Sequence, residues 1–193
     1  MGVHGILLAA GAGTRMGMPK ALVRTAAGEP WVLRGVRVLR GGGCSRIVVV
    51  LGAEADRAAA LLDPSGTAAG AGAPVDVVVA EDWADGMSAS LRAGLGVVAG
   101  SPEAEVALVH LVDLPDVGAA VIARVLAEAA GPATLCRASY DGVPGHPVLI
   151  GRDHWAGVLD VSGGDRGARD YLAAHEVTPV ECGDLATGHD QDR

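Results

Sequence analysis

Short, near-continuous apolar runs alternate with helical patterns along this chain, and that alternation limits the fold more than any other feature. The runs are HGILLA (4–9), RIVVVLG (46–52), VDVVVA (75–80), VALVHLV (106–112) and ATLCRA (133–138). Runs of this kind suit strands covered on both faces, as in a parallel sheet. Between them, Val32, Val36 and Leu39 form one helical stripe that ends at GGG (41–43). Val121, Ile122, Val125, Leu126 and Ala129 form another, ended by Gly131-Pro132, and a third helix spans about Ser88 to Val98. Repeated βα units of this sort predict an α/β fold: a single-domain, doubly wound, mostly parallel sheet with helices on both faces. Ligands of such sheets bind at the carboxyl ends of the strands, here the loops after residues 9, 52, 80 and 112.

After about residue 139 the pattern loosens. GHPVLIG (145–151) reads as a further strand and DRGARDYLAAH (165–175) as a short helix. DPSGTAAGAGAP (63–74) is low in complexity and reads as a surface connection. With 193 residues, half of them hydrophobic and none Phe, one domain spanning 1–193 is expected, its core built from Val, Leu, Ile and Ala.

A net charge of −8 argues against a nucleic-acid surface, but leaves room for a small anion held by a few local cations and N–H groups. Cys44, Cys136 and Cys182 lack metal-ligand spacing and suit a reducing compartment. No run resembles a membrane span or signal peptide, so a cytoplasmic location is expected.

The loop after the first strand reads AGAGTRMGMPK (10–20). Gly11, Gly13 and Gly17 allow backbone N–H groups to approach a polyphosphate, and Arg15 and Lys20 add positive charge. Of the fifteen Lys and Arg residues, Lys20 is the only lysine. A P-loop is ruled out because Lys20 follows Pro19 and precedes Ala21. A dinucleotide fingerprint is disfavoured because the third glycine comes one residue late. A dinucleotide-dependent oxidoreductase therefore ranks low.

Asp113 ends a buried strand, where a carboxylate needs a partner; Mg²⁺ on a triphosphate is one such partner. Asp116 suits a turn or cap ahead of the next helix, and Ser88 suits a helix cap. His146, before a proline, has an ordinary structural reading, and Arg166 and Arg169 could be surface charges. His4, His110, His154, His175 and His189 show no metal spacing.

ILLAAGAGTRMGMPK (6–20) resembles the signature L-A-A-G-x-x-x-R-M-G-x-x-K of the nucleotidyltransferases that include the molybdenum cofactor cytidylyltransferases. All its fixed positions are present: Leu8, Ala9, Ala10, Gly11, Arg15, Met16, Gly17 and Lys20. DGMSASLRAGL (85–95), LVDLPDV (111–117), GHPVLI (145–150) and GDRGAR (164–169) resemble further family blocks. The resemblance implies a Rossmann-like, nucleotide-diphospho-sugar transferase type of fold. It places an NTP on about 1–118 and an acceptor on about 133–193.

It further implies that Arg15, Lys20 and Asp113 are catalytic. Leu8, Ala9, Ala10, Gly11, Gly13, Gly86, Ser88 and Ser90 would bind the nucleotide, with Gly86 and Ser88 on the base. Asp113 and Asp192 would hold Mg²⁺, although HDQDR (189–193) departs from the family's D-I-D-T segment. His146, Arg166 and Arg169 would meet the acceptor, with Arg166 or Arg169 on its phosphate. Ala9-Ala10-Gly11 resembles the cytidylyl-transferring members, which implies CTP as substrate and molybdopterin bearing molybdenum as acceptor. A molybdenum hydroxylase apo-enzyme would be a partner. Transfer to a sugar phosphate, or a non-catalytic nucleotide-binding role in cofactor delivery, are the alternatives.

Overall fold

A computed structural model describes residues 2–62, 72–161 and 163–191. Most of the low-complexity stretch 63–74 lies outside the described residues. The strands are β1 (Gly2–Leu8), β2 (Arg46–Leu51), β3 (Val75–Val79), β4 (Ala104–Leu111), β5 (Leu135–Tyr140), β6 (Val143–Gly151) and β7 (Thr178–Glu181). The helices are α1 (Trp31–Gly41), α2 (Ala55–Leu61), α3 (Met87–Ala99), α4 (Ala119–Leu126), α5 (Arg152–Val161) and α6 (Arg169–Ala173).

The strands form one sheet in the order β3-β2-β1-β4-β6-β5-β7. β1 pairs in parallel with both β2 and β4, β2 with β3, and β5 with β7. β6 alone runs against its neighbours, pairing antiparallel with β4 and β5. The expected mostly parallel α/β sheet is what is found.

Its two faces carry separate cores. α1, α2 and α4 cover one face through Trp31, Val32, Val36, Leu39, Ala58, Val121, Ile122 and Val125. α3, α5 and α6 cover the other through Leu91, Leu95, Val98, Trp155, Val158 and Leu172. Strand residues alternate between the faces, so Leu7 and Val49 join the first core and Ile6 and Val50 the second. Each fully buried Val or Leu contributes roughly 1.5–3 kcal/mol, which lets a core without Phe suffice.

The α1 stripe is buried as expected and ends where Gly43 takes a positive φ of 106°. Two caps expected from the sequence form differently. Gly86, not Ser88, precedes α3, and Gly118, not Asp116, precedes α4. In both places a side chain that could have capped a helix is used for a longer-range bond.

Candidate active site

The loop after β1 is shaped by its backbone before any side chain acts. Ala9 N–H donates to Val50 O, and Ala53 N–H donates to Ala10 O, which ties the loop's start to the end of β2. Met16 N–H donates to Gly13 O and Lys20 N–H to Gly11 O, so the loop folds back over itself. Gly13 has φ +57°, and a Cβ there would lie 2.0 Å from Met18 O. Only glycine permits that fold. It returns the chain to a short 3-10 turn, Lys20–Leu22, at the mouth of the sheet.

Across from it, Val112 N–H donates to Leu8 O, which prolongs the β1–β4 register and sets Asp113 beside the loop. Lys20 Nζ donates to Asp113 Oδ2 at 2.5 Å, with the carboxylate side chain only 11% exposed. A carboxylate this sheltered needs a cation. The pair joins residues 93 positions apart, and it lies at the carboxyl edge of the sheet, where the strand-end rule puts ligands.

A cavity of about 330 Å³ opens here. It is lined by Leu8, Ala10, Gly11 and Lys20 from the first loop, Leu111 and Asp113 from the end of β4, and Trp83, Gly86, Met87 and Ser90 from the start of α3 and the turn before it. Ala9 lies in the core, 2% exposed, and Gly13 shapes the loop without lining the cavity. Arg15 is at the exposed turn of the loop and does not line this cavity. Ser88 is 1% exposed, and its hydroxyl accepts the Gly167 N–H at 3.1 Å. Its work is to hold the Gly164–Gly167 loop against α3. Gly86, at φ +113°, completes that closure, since a Cβ there would meet Asp165 Oδ1 at 2.5 Å.

A second cavity of about 390 Å³ adjoins the first, sharing Leu8, Met87, Leu111 and Asp165. It brings together the three residues expected on the acceptor side, His146, Arg166 and Arg169, and adds Arg137. Arg166 pairs with Asp170 at 3.1 Å. His146 is half-buried, and burial, then the nearby Arg137 and Arg169, pull its pKa down to about 4. It is therefore a neutral hydrogen-bonding group at pH 7. His110, in β4 nearby, is 1% exposed with its Nδ1 unpartnered, and burial takes its pKa to about 3.

The chain's later segment closes over the same edge. Asp116 Oδ2 accepts both the N–H and the hydroxyl of Thr187 at 2.6 Å. Burial alone would raise the Asp116 pKa, but these bonds outweigh it and the pKa is lowered. Gln191 N–H donates to Asp113 O at 2.9 Å, and Asp190 lines the second cavity. Asp192 lies outside the described residues. Among the described residues, no group of three His, Cys, Asp or Glu could hold a metal ion by itself. None of the described helices is long and apolar enough to cross a membrane.

Sequence reasoning missed Trp83, Asp165 and Arg137. Trp83 had a signal, an aromatic just ahead of GMS in a chain that is 3% aromatic. Arg137 had none, because it looks like one more arginine in a strand.

Residues 5–179 match the family model of the MobA-like NTP transferase domain. The nicotine blue oxidoreductase of Paenarthrobacter nicotinovorans is 34% identical over 200 residues, covering 98% of this chain and 92% of that protein. Rv0371c from Mycobacterium tuberculosis H37Rv superposes with a TM-score of 0.74 at 27% identity, over 99% of this chain and 94% of that one. It has also been solved in complex with manganese. A nucleotidyl transferase from Methanothermobacter thermautotroptrophicus shares the fold, with a TM-score of 0.71 at 23% identity over 93% of this chain and 87% of that one.

Proposed function

Since the chain belongs to the MobA-like NTP transferase family and is a nucleotidyltransferase, we propose that it transfers CMP from CTP to the phosphate of a molybdopterin-type cofactor, releasing pyrophosphate. The observation that carries this reading is the Lys20–Asp113 pair, set in a cavity walled by the Ala10–Gly11 backbone. The choice of CTP rests on Ala9-Ala10-Gly11. The nucleotide would occupy the 330 Å³ cavity, against Leu8, Ala10, Gly11, Gly86 and Ser90. Ala9, Gly13 and Ser88 would act by shaping its walls. The acceptor would occupy the neighbouring cavity with His146, Arg166 and Arg169.

Asp113 fits Mg²⁺ as a single protein carboxylate. It faces the cavity, and its partner is an ammonium that a phosphate can draw away. Asp192 is the other residue proposed to hold it. Bound there with the triphosphate, the ion would neutralise phosphate charge.

The chain's own part is positioning and charge. Lys20 would exchange Asp113 for a phosphate oxygen, and Arg15 would close from the turn of the loop onto the leaving end. An acceptor phosphate oxygen attacks the α-phosphorus in line; the new P–O bond forms as the bond to the β-phosphate bridging oxygen breaks. Pyrophosphate leaves with that electron pair, and Lys20, Arg15 and loop N–H groups stabilise the charge. The acceptor phosphate is ionised already, so no strong general base is needed.

With Mg²⁺ present, CTP should raise the melting temperature more than GTP does. Pyrophosphate release from CTP should require molybdenum-loaded molybdopterin, not a panel of sugar phosphates. Stabilisation by GTP with none by CTP would refute the nucleotide assignment. The name of the Paenarthrobacter relative favours a second reading, a redox reaction on nicotine blue or a compound like it. Turnover of a nicotinamide dinucleotide without pyrophosphate release would select it; the glycine spacing of the first loop speaks against it.

A further inference from the structure

Beyond the second cavity lies a third, of about 530 Å³, between β5, β7 and α6. The two share Arg137, Pro144, Arg169 and Leu172, so a pair of guanidinium groups stands on the ridge between them. Arg137 is fixed there, its Nε and Nη2 donating to Gly145 O at 3.3 and 3.1 Å. Among the described residues, neither Arg137 nor Arg169 has a carboxylate within ion-pair distance. Asp165 and Asp190 line the second cavity and Glu181 the third, yet none pairs with them. Glu181 is taken up elsewhere: its carboxylate accepts from Ser139 Oγ and from the N–H groups of Asp141, Gly142 and Gly183. Burial, and then the charge of Arg169, lower the Arg137 pKa, as expected for a cation held without a counter-ion.

Two like charges kept together on a cavity ridge are relieved by an anion. We propose that Arg137 and Arg169 form an oxyanion-binding saddle, which takes an anionic group of the acceptor other than the phosphate that reacts. Lys20 and Asp113 line the first cavity and neither of the others, while Arg137 and Arg169 do not line the first. One phosphate therefore does not serve both. The acceptor class is thus a molecule with a reacting phosphate at one end and a second negative group, oxo- or phosphate-like, further along. The acceptor identity rests on the nucleotidyl-transfer reading; the saddle itself is tested without it.

The probe is inorganic phosphate, read by thermal melting at low ionic strength, with and without saturating Mg·CTP. At about ten times its dissociation constant, phosphate should raise the wild-type melting temperature by about 3 °C, and the rise should persist with Mg·CTP bound. Arg169→Gln, at the exposed start of α6, should lose most of the rise, and the Arg137→Gln/Arg169→Gln double variant all of it. Arg169→Gln carries the test if loss of the Gly145 contact impairs folding of the double variant. An undiminished rise in Arg169→Gln overturns the saddle, as does the absence of any rise in wild type. A rise abolished by Mg·CTP would also overturn it, because the anion would then be sitting in the nucleotide's own phosphate site. If Mg·CTP itself gives no stabilisation but the arginine-dependent rise remains, the nucleotide reading fails and the saddle stands.

Discussion

The two halves of the sheet present their ligand surfaces in opposite ways. On the β1–β4 side the strands are parallel, and the site is built mainly of backbone, with Lys20 and Asp113 pinned to each other. On the β5–β7 side β6 turns antiparallel, and the surface is made of arginines, some of them without acidic partners among the described residues. On the first side the cation and the carboxylate neutralise each other. On the second, Arg166 is paired with Asp170, while Arg137 and Arg169 have no ion-pair partner among the described residues. Under the proposed function, recognition on the first side would depend on loop shape, and on the second on charge.

Lys20→Arg puts this contrast under the greatest strain. If the first side needs a slim ammonium in a narrow loop, this variant should lose about 10²–10³-fold in kcat with the fold intact by circular dichroism. Near-normal turnover would show that any cation suffices there, as on the arginine side. Gly13→Ala tests the loop's shape directly, because its Cβ would collide with Met18 O in a left-handed backbone conformation. A destabilisation of about 1–3 kcal/mol by denaturant melting is expected, together with weaker nucleotide binding. An unchanged melt would mean that the loop has a second conformation available.

The smallest effect should come from Glu181, which clamps the β5–β6 turn to the end of β7. Hydrogen bonds, first from Ser139 and then from the neighbouring N–H groups, take its pKa from 4.5 down to about 2. A depressed carboxylate pKa stabilises the fold fully above its unfolded value and loses that contribution as pH falls from about 4.5 to 2. Glu181→Gln should therefore flatten the acid limb of the stability profile over that interval and leave nucleotide binding at neutral pH unchanged. An unaltered acid limb would remove Glu181 from the stability of this side.

Legibility followed the same division. β1, β2 and β4 are covered on both faces, so their apolar runs stand out, and the loops between them hold Lys20 and Asp113 where the sequence places them. β6 was visible as a run, and its antiparallel pairing with β5 follows from the two-residue Asp141-Gly142 turn, both φ positive, a local hairpin signal that the reading of this stretch did not use. α2 escaped notice because a short, Ala-rich helix with one buried residue carries a weak stripe. Ser88 reads as a cap or, by the resemblance, a base contact, and Asp116 as a local turn or cap, since a sequence displays neither residue's long-range partner. Their partners, Gly167 and Thr187, are 79 and 71 residues away. Arg137 could not be singled out at all, as its role depends on which other arginine folds beside it.

The bond from Gln191 N–H to Asp113 O has a consequence in time as well as in space. The loop that carries Asp113 follows β4, yet it gains this support only after residue 191 has been made. Lys20 and Asp113 both precede Gln191 in the chain, so in a chain still emerging from the ribosome this edge of the site is the last of its parts to be supplied. The candidate cavity is thus begun by the first strand and finished at its rim by the last described residues.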